Sequence, residues 1–274
     1  MQTDPGRSRA ALVAAAKGYI RAEENDIRCD QLHNLSKQGQ MLGHAPLDSA
    51  GIWSKAIQSL PQNLLKFALN ACLDTLPHNS NLFQWKKQQA ARCLLCQSDH
   101  QNLIHVLNNC GKALELRRYN ERHDMVLETI ANAIKCVLPT TMRMTVDIEG
   151  RYTFPLHIST TDLRPDIVLW DDTAKSVTLI ELTVCFESCF EDARERKESR
   201  YADLLQNLQG VSYTASLITL EVGSRGLLHM PGFRKLSSLL HMDKKQSQLL
   251  HVQTVSEAIK GSYRIWCMRN SQQP

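Results

Sequence analysis

The stretch RPDIVLWDDTAKSVTLIELTV, residues 164–184, predicts a β-hairpin. DIVLW is a short apolar run that follows a proline, and VTLIELTV is again aliphatic and β-branched. The polar residues between the two runs, DDTAKS, are typical of a turn. We therefore expect two antiparallel strands joined by a six-residue loop, in a register that places Asp166 opposite Glu181.

The two acids of this hairpin predict a metal site. Because side chains alternate along a strand, Asp166 and Glu181 point to the same face, with Cβ atoms about 5 Å apart. Two carboxylates at that distance repel each other unless a positive charge lies between them. A divalent cation that prefers oxygen ligands, Mg²⁺ or Mn²⁺, meets that requirement.

The composition is that of an ordinary globular protein, with 274 residues of which 43% are hydrophobic and 22% charged. The net charge of +4 permits an anionic partner without requiring one. The alanine-rich residues 10–16 are too short for a signal peptide or a membrane span, so no membrane partner is expected. Nine cysteines without an export signal indicate a reducing compartment, where they serve as metal ligands or buried thiols.

Helical patterns surround the hairpin and predict an α/β fold, a mixed sheet flanked by helices. Residues 1–60 read as helical but loosely organised, because Gly39, Gly43, Pro46 and Gly51 interrupt them. The other predicted helices cover residues 60–71, 113–137, 187–209, 227–250 and 256–268, and further strands cover residues 140–157 and 212–222.

A cluster of cysteine and histidine residues predicts a zinc site upstream of the hairpin. Its members, spaced as C-x2-C-x8-H-x4-C, are Cys93, Cys96, His105 and Cys110. A CxxC turn presents two thiolates to one side of a metal, and a histidine and a cysteine near a helix start can close a tetrahedron. His100 is a competing third ligand, and a CxxC pair also arises by chance among nine cysteines.

Basic residues flank this cluster and predict a contact with nucleic acid. The residues before the cluster are Lys86, Lys87 and Arg92, and those after it are Arg117, Arg118 and Arg122. A small zinc module with a basic collar is a suitable surface for a phosphate backbone. The alternative is that these charges form the solvated face of helices.

Lys197 interrupts the apolar face of the helix that follows the hairpin. Ala193 and Tyr201 lie four residues before and after it, on the same face. Because the helix directly follows the strand that carries Glu181, we expect this lysine to meet the hairpin acids, with Arg200 sharing the role. The alternative is that the lysine snorkels to solvent.

These residues together are suited to metal-assisted hydrolysis of a phosphodiester. The two acids and a backbone carbonyl at Leu182 place the metal, and the lysine stabilises the attacking hydroxide or the charge of the transition state. No Gly-rich phosphate loop, Ser-His-Asp arrangement or HExxH motif competes for the role.

The order of the motifs resembles that of a known family. RPDIVLWDD, LIELTV, ERKESRYADL and LEVGSRG are similar to the restriction-like endonuclease domain of site-specific non-LTR retrotransposons, which belongs to the PD-(D/E)xK nuclease class. CLLC, HVLNNCGKAL and RRYNERHDMVLETI resemble the zinc knuckle and the Arg-His-Asp/Asn helix that precede this nuclease. LLKFALNACLDTLPHNSNLFQW resembles the connector that leads from the polymerase thumb to the knuckle.

The resemblance implies roles for individual residues. Asp166 and Glu181 match the metal-binding acids, and Lys197 matches a catalytic lysine that has moved from the strand position now held by Thr183. The knuckle ligands match Cys93, Cys96, His105 and Cys110, and the implied nucleic-acid contacts include Arg122, His123 and Arg225. For His123, which lies on an apolar helix stripe, the alternative is a packed core histidine.

Two positions depart from the family pattern. The family often has Lys-x-x-Lys-Tyr, whereas this chain has Arg200 as the second basic residue. Arginine keeps the charge but does not readily give up a proton, so activity could be reduced. Arg117 stands where the family usually has glycine.

The implied organisation is a helical connector over residues 1–90, a zinc knuckle over residues 91–112 and a restriction-like endonuclease domain over residues 113–270. The implied function is nicking of target DNA for retrotransposon integration in the nucleus, with Mg²⁺ or Mn²⁺ at the acids, Zn²⁺ at the knuckle and element RNA as a second partner. The sequence contains no YxDD-like polymerase motif, so the chain is interpreted as a fragment without the reverse transcriptase. The alternative is an inactive nucleic-acid-binding remnant.

Overall fold

The computed structural model describes residues 8–35, 40–43, 47–148 and 154–272, and it is a mixed α/β structure. Its α-helices are α1 Arg9–His33, α2 Gln40–Gly43, α3 Leu47–Gln58, α4 Gln62–Cys72, α5 Asn79–Gln84, α6 Gly111–Glu115, α7 Arg118–Val137, α8 Phe190–Gly210, α9 Met230–Leu239 and α10 Lys244–Cys267. A π-helical turn covers His105–Asn109, and a 3-10 turn covers Glu187–Cys189. Within these ranges, no helix combines the length and apolarity that a membrane span requires.

Four strands form one mixed sheet in the order β1-β2-β3-β4. They are β1 Arg143–Val146, β2 Ile167–Asp171, β3 Ser176–Cys185 and β4 Thr214–Gly223. β1 and β3 pair with β2 in antiparallel fashion, whereas β4 pairs with β3 in parallel, because α8 carries the chain back across the sheet.

The predicted register of the hairpin is confirmed, with Trp170 opposite Val177. The predicted six-residue loop is wrong, because Asp171 and Ser176 are still paired and the loop covers only residues 172–175. The carboxylate of Asp171 accepts hydrogen bonds from the N–H groups of Thr173 and Ala174 at 2.8 and 2.9 Å. This local bonding closes a shorter turn than the polarity of the segment suggested.

Helices cover both faces of the sheet. On one face, α8 contributes Tyr201, Leu204 and Leu208 to a cluster with Val168 and Leu179. On the other face, α7, α9 and α10 form the larger core; its strand residues include Ile167, Leu169, Ile180, Leu182 and Leu220. Because Glu181 follows the alternation of Leu179, its side chain lies on the face that α8 covers.

Two predicted helices differ from the structure. The helix predicted over residues 113–137 is divided into α6 and α7 at Arg117, which adopts the left-handed conformation with φ 57°. Glycine adopts this conformation more readily than other residues, so Arg117 holds it at some conformational cost. At the C-terminal end, the gap between the helices predicted over residues 227–250 and 256–268 lies inside α10. That helix instead begins after a capping box between Asp243 and Gln246.

The prediction of a loosely organised N-terminal region is wrong for α3. Gly51 lies inside this helix rather than breaking it, and Trp53 is buried in the main core. Trp53 Nε1 donates to the carbonyl of Arg225 at 2.9 Å, and Ser49 Oγ donates to the carbonyl of Leu228 at 2.8 Å. The predicted connector therefore shares its core with the segment predicted to be the nuclease. The exposed helix α1 does fit the prediction.

The buried histidine His251 makes the stability of the fold dependent on pH. Burial lowers its pKa to about 4, and its Nε2 atom has no hydrogen-bond partner among the described residues. Because the unfolded histidine titrates near 6.5, the unfolded chain binds a proton that the folded chain excludes as the pH falls. The free energy of unfolding should therefore drop by about 2–3 kcal/mol as the pH falls from about 6.5 to about 4.

The test is urea denaturation of the wild-type chain and the His251→Phe variant at about pH 7 and about pH 4.5. Phenylalanine keeps a buried ring beside Phe233, which contacts His251 edge to face, but it does not titrate. The variant should lose less free energy of unfolding than the wild type on acidification. Equal losses in the two proteins would show that His251 contributes nothing to the pH dependence.

Candidate functional site

The carboxylates of Asp166 and Glu181 lie side by side at the start of β2, between the two inner strands of the sheet, as their register predicted. The backbone N–H of Asp166 donates to Glu181 Oε1 at 3.2 Å, and the backbone N–H of Leu182 donates to Asp166 Oδ2 at 2.7 Å. The N–H of Leu182, rather than the carbonyl named from the sequence, therefore contacts the acid pair. Glu181 is buried, whereas 15% of the Asp166 side chain is exposed, so the pair opens to solvent on the side of Asp166.

Lys197 reaches the acids from α8. Its Nζ forms an ion pair and hydrogen bond with Glu181 Oε2. Its neighbours one turn away, Ala193 and Tyr201, are buried against the sheet, so the helical spacing directs the lysine to the same side. The structure thus joins three sequence-predicted residues, and the alternative of a solvated lysine does not hold.

The environment of Glu181 opposes its negative charge. Burial raises its pKa first, the charge of Asp166 raises it further, and Lys197 and Tyr201 partly offset both effects. The Tyr201 hydroxyl is buried beside this carboxylate, and burial together with Glu181 raises its pKa. That hydroxyl makes no hydrogen bond of normal geometry to the described residues. The centre therefore holds a polar atom with unused hydrogen-bonding capacity.

His123 approaches the acid pair from α7. Its Nε2 lies 3.5 Å from Asp166 Oδ1, and its Nδ1 lies 3.1 Å from Asp124 Oδ1. Burial alone would lower the pKa of His123, but the hydrogen bonds and charges of the two aspartates outweigh it and raise the pKa to about 9. The sequence alternative of an ordinary core histidine is therefore wrong.

The four carboxylate oxygens of this centre all have neighbours on the protein. One oxygen of each acid accepts a backbone N–H, while Asp166 Oδ1 faces His123 and Glu181 Oε2 faces Lys197. A divalent cation at these two oxygens would therefore have to displace Lys197 or His123 from its contact or share the oxygen with it.

The Cys-His cluster forms a second candidate metal centre. One ligand atom from each of Cys93, Cys96, His105 and Cys110 lies within 4.8 Å of the others, so the group could hold a metal such as zinc. A zinc tetrahedron needs sulfur–sulfur separations of about 3.8 Å, so only a small contraction is required. His100 is exposed and lies outside this group, which decides between the two histidines considered from the sequence.

The local backbone explains why these four residues converge. The N–H of Cys93 donates to the carbonyl of Ser98 at 2.8 Å, and the N–H of Gln97 donates to the carbonyl of Cys93 at 3.0 Å, which folds the CxxC segment into a turn. His105 begins the π-helical turn and Cys110 directly follows it. A π-helix bonds residues five apart, so His105 and Cys110 return to the same side.

Two side chains that the sequence analysis missed support this cluster. The Cys110 N–H donates to the Tyr119 hydroxyl at 2.9 Å, and that hydroxyl can donate to the carbonyl of Val106 at 3.1 Å. Gln101 Nε2 lies 3.6 Å from Cys93 Sγ. Such outer contacts orient metal ligands. A tyrosine or glutamine at these places carries no spacing signal, so only the structure could reveal them.

Three arginines predicted to contact nucleic acid are instead buried. Arg118 donates to the carbonyls of Met268 and Ser271 at 2.7 and 2.8 Å. Arg122 donates to the carbonyl of Leu107 at 2.9 Å, and burial lowers its pKa to about 10. As buried side chains with these carbonyl partners, Arg118 and Arg122 offer no surface to nucleic acid.

The third, Arg225, forms a buried ion pair with Glu187 at 2.7 Å, and its guanidinium lies 4.1 Å from the Phe186 ring centre. The prediction that Arg225 contacts nucleic acid is therefore corrected in the same way, because its charge is satisfied inside the fold.

The remaining predicted basic residues are exposed. Lys86, Lys87 and Arg117 lie on the surface, on either side of the Cys-His cluster in sequence, so their predicted contact with nucleic acid stays open. Arg200 is also exposed, and its guanidinium lies 5.8 Å from the Tyr201 ring centre. The structure therefore brings Lys197 to the acids and leaves Arg200 on the solvent side of α8.

Comparison of the sequence with protein-family models and with curated proteins found no match. What the geometry defines is a mixed α/β protein with two chemically distinct centres. One is an acid–lysine–histidine centre where β2 begins beside β3, and the other is a Cys3His cluster that could hold a metal such as zinc.

Proposed function

We propose that this chain is a metal-dependent endonuclease that nicks target DNA for retrotransposon integration. The observation that carries the proposal is the ion pair between Lys197 and the buried Glu181, immediately beside Asp166. The two acids and the lysine come from separate elements, and they meet at a site that is open to solvent on the side of Asp166. They are the side chains that metal-assisted cleavage of a phosphodiester requires.

Each side chain has a role in this reaction. A divalent cation bound by the two acids would polarise the phosphodiester and lower the pKa of a bound water. Lys197 stabilises the negative charge that develops on the phosphoryl oxygens, and His123, 3.5 Å from Asp166, orients that acid. The Tyr201 hydroxyl, which lies beside the Glu181 carboxylate, can orient that acid.

The resemblance to the restriction-like endonucleases of non-LTR retrotransposons supports the same function. The matched motifs carry Asp166, Glu181 and Lys197, and these are the residues that the fold joins. The Cys-His cluster takes the part of the zinc knuckle, with the exposed Lys86, Lys87 and Arg117 as its nucleic-acid contacts. The proposal places the protein in the nucleus with DNA as its substrate.

The test is a nicking assay on supercoiled plasmid. The wild-type chain should convert plasmid to open circles when Mg²⁺ or Mn²⁺ is added and leave it intact when the metal is omitted. The metal is omitted rather than chelated, because a chelator would also remove zinc. DNA binding without nicking in either metal would favour the inactive remnant, whose affinity should fall steeply with salt.

Lys197 should be far more important than Arg200 for nicking. The Lys197→Met variant leaves the buried Glu181 without its cation, so nicking should slow by about 100-fold and stability should fall by about 3 kcal/mol. Arg200→Gln removes an exposed charge on the same helix and should change the rate by less than about 3-fold. Nicking rates are measured for both variants, and urea denaturation measures their stability.

Lys197→Arg separates the two roles of the lysine. Arginine restores the charge beside Glu181 and should recover most of the lost stability, but its planar head fits the site differently and should recover little of the rate. Equal effects of Lys197→Met and Arg200→Gln on the rate would contradict the assignment of Lys197 to the reaction.

A further inference from the structure

The end of α5 exposes two aromatic side chains that the proposed nuclease centre does not use. Phe83 is 52% exposed and Trp85 is 42% exposed. The other three tryptophans of the chain, Trp53, Trp170 and Trp266, are only 6–8% exposed. Leaving two large aromatic rings in water within three residues is costly, so the surface is suited to a partner that covers them.

The backbone holds these rings in a fixed arrangement. The N–H of Lys87 donates to the carbonyl of Leu82 at 2.8 Å, and the N–H of Lys86 donates to the carbonyl of Phe83 at 2.9 Å, which together form a Schellman motif at the end of α5. Lys86 occupies its left-handed position with φ 57°, where glycine is usual. A lysine there places a charge beside the rings at some conformational cost.

The segment that carries the rings contributes only positive charge beside them. Lys87 Nζ lies 5.7 Å from the centre of the Trp85 ring, within reach of a cation–π contact. No aspartate or glutamate occurs in the sequence between Asp74 and Asp99. The complement of this surface is therefore a partner that offers flat apolar faces and negative charge together.

The surface is rigidly joined to the Cys-His cluster. Asn79 Nδ2 donates to the carbonyl of Arg92 at 2.6 Å, and the N–H of Ser80 donates to the carbonyl of Gln101 at 3.1 Å. Gln101 in turn contacts Cys93 Sγ. Whatever binds to α5 is therefore held at a fixed position relative to the cluster.

We propose that Phe83, Trp85, Lys86 and Lys87 form a binding site for single-stranded nucleic acid, in which unpaired bases stack on the two rings and phosphates pair with the lysines. Aromatic rings bind bases through the faces that a duplex keeps buried in its own stack, so the site selects unpaired strands. The inference rests on the proposed function only in taking nucleic acid as the partner. It shares Lys86 and Lys87 with the nucleic-acid contacts of the proposed function, and it adds the two rings and names the unpaired strand as the form that is bound.

The test uses the Asp166→Asn variant without added Mg²⁺ or Mn²⁺, so that no strand is cut. Oligo(dT), oligo(U) and a duplex of the same length are titrated while tryptophan fluorescence is recorded. Because Trp85 is the exposed tryptophan, stacking should quench the emission with the single strands and much less with the duplex. The dT and U arms show whether DNA, RNA or both are bound.

Variants show which residues produce the fluorescence quench and which contribute to the affinity for single strands. Trp85→Phe should abolish the quench, and Trp85→Ala should weaken single-strand binding by roughly 10-fold. Lys86→Gly should lower the slope of log affinity against log salt by about 1 without loss of stability, because glycine suits the left-handed position. Tyr19→Ala, which removes another exposed aromatic ring on α1, is the control and should bind like the parent.

The inference is overturned if the parent protein binds duplex as tightly as single strands, or if Trp85→Ala binds single strands as tightly as the parent. It is also overturned if no oligonucleotide binds, in which case a protein partner would have to cover the rings. These outcomes are separate from cleavage: wild-type protein that nicks plasmid with added metal but fails here retains the proposed nuclease function.

Discussion

The Asp166→Asn variant is expected to nick DNA at least about 100-fold more slowly than the wild-type chain. The substitution removes one of the two charges that would hold the cation and the partner of His123 at 3.5 Å. It keeps an oxygen that can accept the hydrogen bond from the Leu182 N–H, so β2 and β3 should remain paired there. The measurement is the initial rate of open-circle formation with Mn²⁺, together with the thermal midpoint.

Asp172→Asn provides the matched control. Asp172 lies in the turn of the same hairpin, its side chain is partly exposed, and its carboxylate contacts His157 rather than the acid pair. Its removal should leave the nicking rate within about 2-fold of the wild type, since a surface ion pair contributes little. If both variants lost activity equally, the loss would reflect the hairpin as a whole and not a metal-binding acid.

Loss of zinc is expected to have the largest effect on stability. Purified protein should contain one zinc per chain, and Cys93→Ser should remove it. Because a structural zinc contributes on the order of 10 kcal/mol to the folding of a small module, we expect this variant to lose at least about 3 kcal/mol of stability. The effect should extend into the main core, since Arg122 bonds the carbonyl of Leu107 in the π-helical turn that His105 begins.

The control for this prediction is Cys136→Ser, which changes an exposed cysteine on α7 outside the cluster. It should retain one zinc and its stability should change by less than about 0.5 kcal/mol. Elemental analysis and urea denaturation give both quantities. Native protein with no zinc, or equal stability of the two variants, would show that the cluster is a set of packed thiols and not a metal centre.

The local patterns of the sequence were sufficient to predict the acid–lysine part of the site. The alternation of the hairpin determines which side chains face each other, and the four-residue spacing of Lys197 and Tyr201 places both on one side of α8. Both patterns depend only on the geometry of a strand or a helix. For the same reason the ligands of the Cys-His cluster could be named, although the choice between His100 and His105 needed the π-helical turn.

The errors of the sequence analysis concern interactions between distant parts of the chain. Arg118 reads as a surface charge, yet it is buried because it bonds the carbonyl of Met268, 150 positions away, at the end of α10. The burial of Trp53 likewise depends on a carbonyl at Arg225. A local sequence pattern cannot indicate a hydrogen-bond partner that lies so far away along the chain. Left-handed residues such as Arg117 were missed because their conformation is set by the packing of the helices around them.

If the proposed nuclease activity belongs to the acid–lysine centre, removing the charge of Glu181 should abolish it. Wild-type protein and the Glu181→Gln variant are incubated with supercoiled plasmid and Mn²⁺, and open circles are counted over time. Open circles should accumulate with the wild type only, and none should form when Mn²⁺ is omitted. Equal nicking by the two proteins, or no nicking by the wild type while zinc is present, would contradict the proposed function.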